Sequence, residues 1–335
     1  SGAGRCARAL ERIGRVPRDV LERASDRIRV FADAQRAALQ EIEVPIPGGL
    51  AGHRITPVER AGCYAPGGRF PLPSSVLMTA VTARAAGVAE VWVASPRPTD
   101  ETLAAAAIAG ADGVLAVGGA HAIAALAFGV GGPPRCDVIA GPGNAWVTAA
   151  KKIVSGTVGI DLLAGPSELV VLADDSADAD TVAADLLAQA EHDLDALPVL
   201  VTDSERLAGA VDAAIADRLE RLETAATARG ALANGYAVVT ASIDGAIAVV
   251  DRLAPEHLEV HTRDADVVAA RCRQYGALFV GPDCAEVVGD YGAGPNHTLP
   301  TGGGARFTGG LSVLSFLRVR TWMRIDRPDE ATELY

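Results

Sequence analysis

The chain has 335 residues, which is long enough to bury a large core in two domains or in one domain inserted in another. Its charged residues give a formal net charge of −12 and include no basic run that could neutralise phosphates, so nucleic acid is not expected as a partner. Its five cysteines are dispersed without a CxxC pair, which excludes a disulfide framework or a thiolate zinc site and indicates a reducing compartment.

The N-terminal part of the chain has no apolar signal-peptide core, which together with the cysteines favours a cytoplasmic protein. Apolar residues at helical spacing, with Pro17 near the start, predict a helix over 16–41. Residues 45–49 break this helix, and alternation over 53–61 predicts an edge or connecting strand. A loop rich in glycine and proline follows at 62–68 and is typical of a boundary or a ligand loop.

Strands and helices then alternate along the chain. The first series has predicted strands at 91–94, 114–117 and 138–140 and predicted helices at 74–87, 99–110, 119–128 and 145–154. This alternation predicts a parallel sheet with both faces covered, whose ligands bind at the carboxyl ends of the strands. The run 113–132 lacks Asp, Glu, Lys and Arg, but two glycines split it into a buried strand and a helix, which argues against a membrane span.

A second series of the same kind follows residues 165–167. Its predicted strands are 169–172, 199–202, 237–240, 258–260 and 278–280, and its predicted helices are 178–193, 204–228, 243–253 and 264–274. One more short element is expected within 311–325. We therefore expect an α/β fold of two similar Rossmann-like domains with parallel sheets, one inserted in the other. The expected division is a first domain at 1–63 and 168–315, an inserted domain at 64–167, and a short tail at 316–335.

Two polar side chains interrupt the apolar face of the helix predicted at 178–193. On a helix of 3.6 residues per turn, Gln189 lies close to the azimuth of Val182, and His192 lies at the edge of that stripe. Both are expected to point inward, where an amide oxygen and an imidazole nitrogen one turn apart can ligate one metal ion. A core histidine bonded to a carbonyl, with the glutamine beside it, is the alternative interpretation.

Three further groups of residues are candidates for chemistry. Glu256 and His257 are adjacent after a proline and suit a two-step acid–base reaction, although a solvated surface pair has the same sequence. Asp290 and His297 lie in a glycine-rich loop that indicates backbone packed close to a ligand or a partner chain, with an Asx turn as the alternative. The loop 141–144 lies between a strand and a helix, where amides can hold phosphate. The usual dinucleotide fingerprint is missing.

Five long motifs, in their order and spacing, resemble the histidinol dehydrogenase family from roughly residue 20 to residue 316. They are YAPGGRFPLPSSVLM, GPGNAWVTAAKKIVSGTVGIDLLAGPSE, DLLAQAEHD, APEHLEV and GDYGAGPNHTLPTGGGARF. The family comprises zinc-dependent enzymes of histidine biosynthesis, which convert an amino alcohol to an amino acid through an aldehyde with two NAD in succession.

The resemblance implies a role for each matching residue. The implied zinc ligands, which also contact substrate, are Gln189, His192 and Asp290. Ser167 matches a further substrate contact, and Glu256 and His257 match the acid–base pair. His257 would remove the alcohol proton, and Glu256 would activate the water that hydrates the aldehyde. The implied NAD contacts are Tyr64, His121 and Asn144, although His121 replaces the family's Gln and is expected to alter cofactor binding.

Two departures from the family concern the ends of the sequence. The region before Tyr64 is about half the family's usual length. No histidine follows His297, although the resemblance implies a helical tail that supplies a Glu and a fourth zinc ligand across a dimer. We therefore expect a homodimer that is less intertwined than its relatives, with zinc on three protein ligands and an open position.

The resemblance thus implies a zinc- and NAD-dependent dehydrogenase that oxidises a small primary alcohol, and the composition predicts no nucleic-acid or membrane partner. One alternative is a paralogue that oxidises an alcohol other than histidinol in another pathway. A second is a non-catalytic paralogue that binds or scaffolds, against which the intact pair Glu256 and His257 argues. A third is a zinc hydrolase without NAD, against which the retained Tyr64 and Asn144 argue.

Overall fold

The computed structural model describes the backbone of residues 2–67, 71–290 and 292–334. Contacts between residues divide the chain into two compact units. Unit 1 comprises residues 1–161, 292–296 and 311–335, and unit 2 comprises residues 162–291 and 297–310. Unit 2 is therefore an insertion within the sequence of unit 1.

The secondary structure of the described residues alternates as expected of an α/β protein. The strands are β1 (Ile42–Ile46), β2 (Gly49–Pro57), β3 (Arg60–Tyr64), β4 (Glu90–Ala94), β5 (Gly113–Leu115), β6 (Val138–Ala140), β7 (Gly159–Ile160), β8 (Glu168–Ala173), β9 (Leu197–Thr202), β10 (Tyr236–Val239), β11 (His257–His261), β12 (Ala277–Val280) and β13 (Leu317–Ile325). The α-helices are α1 (Gly2–Arg12), α2 (Arg15–Ala37), α3 (Pro73–Ala86), α4 (Asp100–Ile108), α5 (Gly119–Phe128), α6 (Ala145–Val154), α7 (Ala179–Ala190), α8 (Glu205–Leu219), α9 (Ala225–Leu232), α10 (Ile243–Leu253), α11 (Ala265–Ala269) and α12 (Val287–Asp290).

Unit 1 contains a parallel five-stranded sheet in the order β5-β4-β3-β6-β7. The chain adds strands on one side of β3 as far as β5 and then returns to the other side, so the strand order reverses between β3 and β6. Helix α3 is buried on nearly every side because it packs on β3 and also contacts α2 and α4. A separate antiparallel sheet in unit 1 has the order β1-β2-β13.

Unit 2 contains a second parallel sheet in the order β10-β9-β8-β11-β12, which reverses between β8 and β11. Successive residues of β8 enter the two cores on opposite faces of this sheet, as strand geometry requires. Leu169 and Val171 pack with residues of α7 and α8, whereas Val170 and Leu172 pack with residues of α10 and α11. Both faces of the sheet are thus covered, which explains the almost continuous apolar sequence of β8.

The predicted α/β class with two parallel sheets is confirmed. Helices α5 and α6 have the predicted bounds, and the run 113–132 forms β5 and α5 instead of one long helix. Among the described residues, no helix has both the length and the apolar character needed to cross a membrane. The units divide the chain at other positions than expected, because β3 lies across the expected boundary at 63/64 and pairs with β4 and β6, so that residues 1–63 group with unit 1.

Some predicted elements were wrong in extent. The helix predicted over 204–228 is two helices, α8 and α9, because Leu219 and Ala228 both pack in one cluster with Leu187. Nine positions apart on a continuous helix, these two side chains would face opposite directions. The helix predicted over 178–193 ends at Ala190, where Asp193 begins an Asx turn by accepting the N–H of Asp195 at 3.1 Å.

Other differences lie near the ends of the chain. Helix α1 was not predicted, and residues 45–49 were expected only to break a helix. Pro45 instead lies in β1, an edge strand, where the missing N–H of proline is tolerated. The element expected within 311–325 is a short 3-10 helix, Val313–Phe316, followed by β13.

Candidate active site

His257 is the first residue of β11 and the centre of a buried group in unit 2. Ala254 ends α10 in the left-handed conformation, with φ 51°, and turns the chain towards the strand. Nδ1 of His257 lies 2.8 Å from the carbonyl oxygen of Glu168, which can only accept, so Nδ1 carries the proton. Nε2 is therefore the basic nitrogen of this imidazole. It lies 3.1 Å from Nε2 of His297 and 3.5 Å from Oε1 of Glu286.

Glu286 joins the two histidines of this group. Its Oε1 lies 3.2 Å from Nε2 of His297, and the His297 ring fits against the backbone of Gly289, where an added Cβ would lie 2.3 Å from Nδ1. Burial opposes the charge on Glu286, but the hydrogen bond from His297 and the nearby imidazoles hold the pKa of this carboxyl below its usual range. Sequence reasoning missed Glu286, because nothing in its local pattern distinguishes it from a solvated glutamate.

The pKa of His257 is lowered to about 4, chiefly by burial and then by the neighbouring His297. The imidazole is therefore neutral at neutral pH, as a general base must be. Glu286 acts in the opposite direction and favours the protonated ring. A carboxylate near Nε2 stabilises the imidazolium that forms when this nitrogen accepts a proton.

Glu256 is held beside His257 by the backbone of β8. Its Oε2 accepts the N–H of Glu168 at 2.9 Å and lies 3.7 Å from Nδ1 of His257. Glu168 thus binds both predicted acid–base residues, one through its N–H and the other through its carbonyl group. Ser167, the predicted substrate contact, is half-buried and immediately precedes Glu168. These four residues lie at the amino ends of β8 and β11, contrary to the expectation that ligands bind at the carboxyl ends.

The predicted metal ligands are only partly inward-facing. Gln189 on α7 is 0% exposed, and among the residues that the structure describes neither its amide oxygen nor its amide nitrogen has a hydrogen-bond partner. This orphaned amide fits a role as a ligand, since a buried polar group without a partner is costly. His192 is exposed, contrary to the prediction, because α7 ends at Ala190 and places His192 in the following turn. His192 is the smallest of the influences that lower the pKa of His257. The side chain of Asp290 lies outside the described residues.

A second cluster of ionisable groups in unit 2 was not foreseen. It consists of Asp185 on α7 and Glu259 and His261 on β11. Burial and the charge of Asp185 raise the pKa of Glu259 to about 8, and burial raises the pKa of Asp185 to about 6. The period-two spacing of His257, Glu259 and His261 was the available signal, since alternate residues of a strand share one face.

The predicted NAD contacts lie in unit 1, at the carboxyl ends of its strands. Tyr64 ends β3, and its hydroxyl accepts the N–H of Gly119 at 3.1 Å. Asn144 follows β6 and caps α6 by accepting the N–H of Val147 at 3.2 Å. His121 is exposed on the first turn of α5. The strand order reverses between β3 and β6, so Tyr64 and Asn144 flank the point where such sheets usually bind ligands.

A buried ion pair fixes the loop that precedes Asn144. Lys151 on α6 donates to the carbonyl oxygen of Gly141 at 3.0 Å and also to the carboxylate of Asp161. The other oxygen of Asp161 accepts the N–H of Gly141 at 2.7 Å. Gly141 has a φ of 120° and passes so close to Tyr64 that a Cβ would lie 2.0 Å from the Tyr64 carbonyl oxygen. The lysine on an otherwise apolar helix face was the sequence signal for this pair.

A family model, curated relatives and a solved structure all match this chain to histidinol dehydrogenase. Residues 3–333 match the family model described as histidinol dehydrogenase. "Histidinol dehydrogenase homolog 1" of Mesorhizobium japonicum is 46% identical over 323 residues, which cover 95% of this chain and 64% of that protein. Histidinol dehydrogenase of Parasynechococcus marenigrum is 48% identical, over 92% of this chain and 72% of that protein. The crystal structure of histidinol dehydrogenase from Elizabethkingia anophelis has a TM-score of 0.90 at 33% identity, covering 96% of this chain and 76% of that one.

Proposed function

This chain belongs to the histidinol dehydrogenase family, and on that premise we propose that it oxidises a primary amino alcohol through an aldehyde to the carboxylic acid. The observation that carries the proposal is the protonation state of His257. This buried imidazole is neutral, its Nδ1 donates a hydrogen bond to a carbonyl oxygen, and its Nε2 is left as the basic nitrogen. The chain spans 64% of the length of the Mesorhizobium relative, so the activity is proposed for this chain on its own residues.

The cofactors proposed are zinc and NAD. Zinc held by Gln189 and His192, with Asp290 as the third proposed ligand, would polarise the alcohol oxygen, and NAD would take up the hydride of each oxidation step. Gln189 fits this role because both polar atoms of its amide are buried and have no hydrogen-bond partner within the described part of the chain. Tyr64, His121 and Asn144 of unit 1 are the proposed NAD contacts.

In the first step, Nε2 of His257 accepts the proton of the substrate hydroxyl. Because burial lowers the pKa of His257 to about 4, the ring is neutral and its Nε2 carries no proton at the start. Glu286, with its Oε1 3.5 Å from the same nitrogen, then stabilises the imidazolium. The hydrogen bond to the Glu168 carbonyl oxygen keeps the ring in the required tautomer and orientation throughout.

In the second step, water must add to the aldehyde, and Glu256 is the proposed base. The Glu168 N–H holds its carboxylate in place, which limits the orientations available to the attacking water. Ser167, one residue from this contact, is the proposed substrate contact. The two steps thus use neighbouring residues that the same backbone unit of β8 positions.

The test is NADH formation from histidinol and a panel of other amino alcohols, followed by absorbance. His257→Asn is expected to lower kcat by about a hundredfold or more, the usual cost of losing a general base, while His53→Gln, in the antiparallel sheet of unit 1, leaves it unchanged. A His257→Asn protein with kcat within a few-fold of the unaltered chain would refute the assignment. So would a folded, zinc-loaded chain that yields NADH with no alcohol in the panel.

The proposed zinc position has a separate test. Metal analysis of His192→Ala, after the protein is stripped with a chelator and reloaded, is expected to show about one equivalent less zinc than the unaltered chain. His53→Gln is the matched control, since His53 is a histidine of unit 1 that bonds a backbone carbonyl oxygen. Equal zinc contents in His192→Ala and the unaltered chain would contradict the proposed ligand.

A further inference from the structure

The cluster of Asp185, Glu259 and His261 has the geometry of a metal site. Nε2 of His261 lies 3.6 Å from Oε2 of Glu259 and 3.9 Å from Oδ2 of Asp185. All three ligand atoms lie within 4.8 Å of one another. In a tetrahedral site with bonds of about 2.0–2.1 Å, neighbouring ligand atoms are about 3.3 Å apart. Small side-chain rotations would therefore bring the three atoms onto a common ion.

The carboxyl groups of Asp185 and Glu259 share a hydrogen bond within the cluster, but the atoms that would face an ion have no partner outside it in the part of the chain that the structure describes. Oδ2 of Asp185, Oε2 of Glu259 and both ring nitrogens of His261 are buried without a hydrogen-bond partner among the described residues. Glu259 is 0% exposed and His261 is 2% exposed, so bulk water does not compensate. A buried polar atom that lacks a hydrogen-bond partner is costly, because it loses its hydration and gains nothing in return. A bound ligand would explain why four such atoms lie together in this cluster.

We propose that Asp185, Glu259 and His261 bind a divalent transition-metal ion, of the zinc or manganese class. Two carboxylates supply the two negative charges that neutralise such an ion, and the imidazole nitrogen favours zinc or manganese over magnesium or calcium, which prefer oxygen ligands. The fourth position is left to water.

This site shares no ligand with the zinc position proposed for catalysis, which uses Gln189, His192 and Asp290. His257 and His261 are at opposite ends of β11, which puts them about 13 Å apart at the usual rise of a strand. Asp185 lies one turn before Gln189 on α7, on the same side of that helix. The ion would therefore tie α7 to β11 and fix the helix that carries Gln189.

The experiment counts metal ions in full-length protein that is stripped with a chelator, reloaded with zinc or manganese, and freed of excess. His192→Ala removes a ligand of the proposed catalytic zinc. In this variant about one equivalent of metal is expected to remain, bound by the second cluster. Adding His261→Gln to that background should remove it, and adding His53→Gln should not. Glu259→Gln, which keeps the shape and loses the charge, should act like His261→Gln.

A His192→Ala protein without bound metal would overturn the proposal, as would His261→Gln with the metal content of its parent. Because a buried substitution can impair folding, circular dichroism is recorded for each variant. Anomalous scattering from crystals of the unaltered, metal-loaded chain is the independent measurement. A peak between His261 and Glu259 is expected, and its absence would overturn the proposal whatever the fate of the catalytic zinc.

Discussion

Lys151→Met tests how much the buried ion pair between Lys151 and Asp161 stabilises unit 1. Lys151 is 2% exposed and the side chain of Asp161 is 0% exposed, so their ion pair is out of contact with water. Methionine has a similar length but no charge. The Asp161 carboxylate would keep its hydrogen bond from the Gly141 N–H but would lose the positive charge of Lys151. The Gly141 carbonyl oxygen would lose its hydrogen bond from Nζ.

The expected loss in the free energy of unfolding follows from this burial. Removing one partner of a buried ion pair costs about 3–5 kcal/mol, because the remaining charge stays buried. In a domain of about 150–250 residues, each kcal/mol lost from the free energy of unfolding lowers the melting temperature by about 2–4 °C. A fall of roughly 10 °C is therefore expected. NAD should also bind more weakly, since the loop 141–144 loses one of its two anchors.

The assay is urea and thermal unfolding, followed by circular dichroism, with Lys152→Met as the control. Lys152 is the exposed neighbour on α6, and its change should alter stability by less than about 0.5 kcal/mol. Adding Asp161→Asn to Lys151→Met should recover part of the loss, because the uncompensated charge is then removed. A Lys151→Met protein that loses less than about 1 kcal/mol would refute the reasoning.

Three further outcomes are expected. Burial lowers the pKa of His257 from its ordinary 6.5 to about 4, so between these pH values the unfolded chain binds more protons than the folded chain. The urea midpoint of unfolding should therefore fall as the pH falls from 6.5 to 4. In His257→Asn it should fall by less. Glu256→Gln should slow oxidation of an aldehyde by about a hundredfold in a single turnover and the alcohol step far less; equal slowing would refute the division of roles. The chain should form a homodimer, as Trp146 and Ile153 leave an exposed apolar face on α6; light scattering that shows a monomer at every concentration would contradict this.

The alternation of elements was predictable because it depends on local pattern. The bounds of α5 and α6 follow from glycine and asparagine at their ends and from apolar runs between them, and these signals lie within a few residues of each other. The end of α7 was not predictable from periodicity. The pattern continues to His192, but Asp193 closes a turn that stops the helix two residues earlier.

The partners of the site residues were less predictable than the residues themselves. Glu256 and His257 are adjacent in sequence, but what gives them distinct positions is the backbone of Glu168, 88 and 89 residues away. Glu286 reaches His297 only because both lie in loops that the sheet brings together. No local pattern encodes such contacts, since they depend on which strand pairs with β11.

The pairing of β11 with β8 explains how one strand carries both core and chemistry. Their parallel register sets His257 opposite Leu169 and Glu259 opposite Val171, so the polar residues share the face covered by α7. Leu258 and Val260 then fall on the other face, in the core with α10. A shift of one residue would exchange these faces, placing two leucine- or valine-sized side chains among the acids and three ionisable groups in an apolar core. The apolar face therefore holds the register, and the register places His257 against Glu168. The same register buries Oε2 of Glu259 and both ring nitrogens of His261, which have no hydrogen-bond partner among the described residues. The proposed metal ion would be the ligand of these atoms.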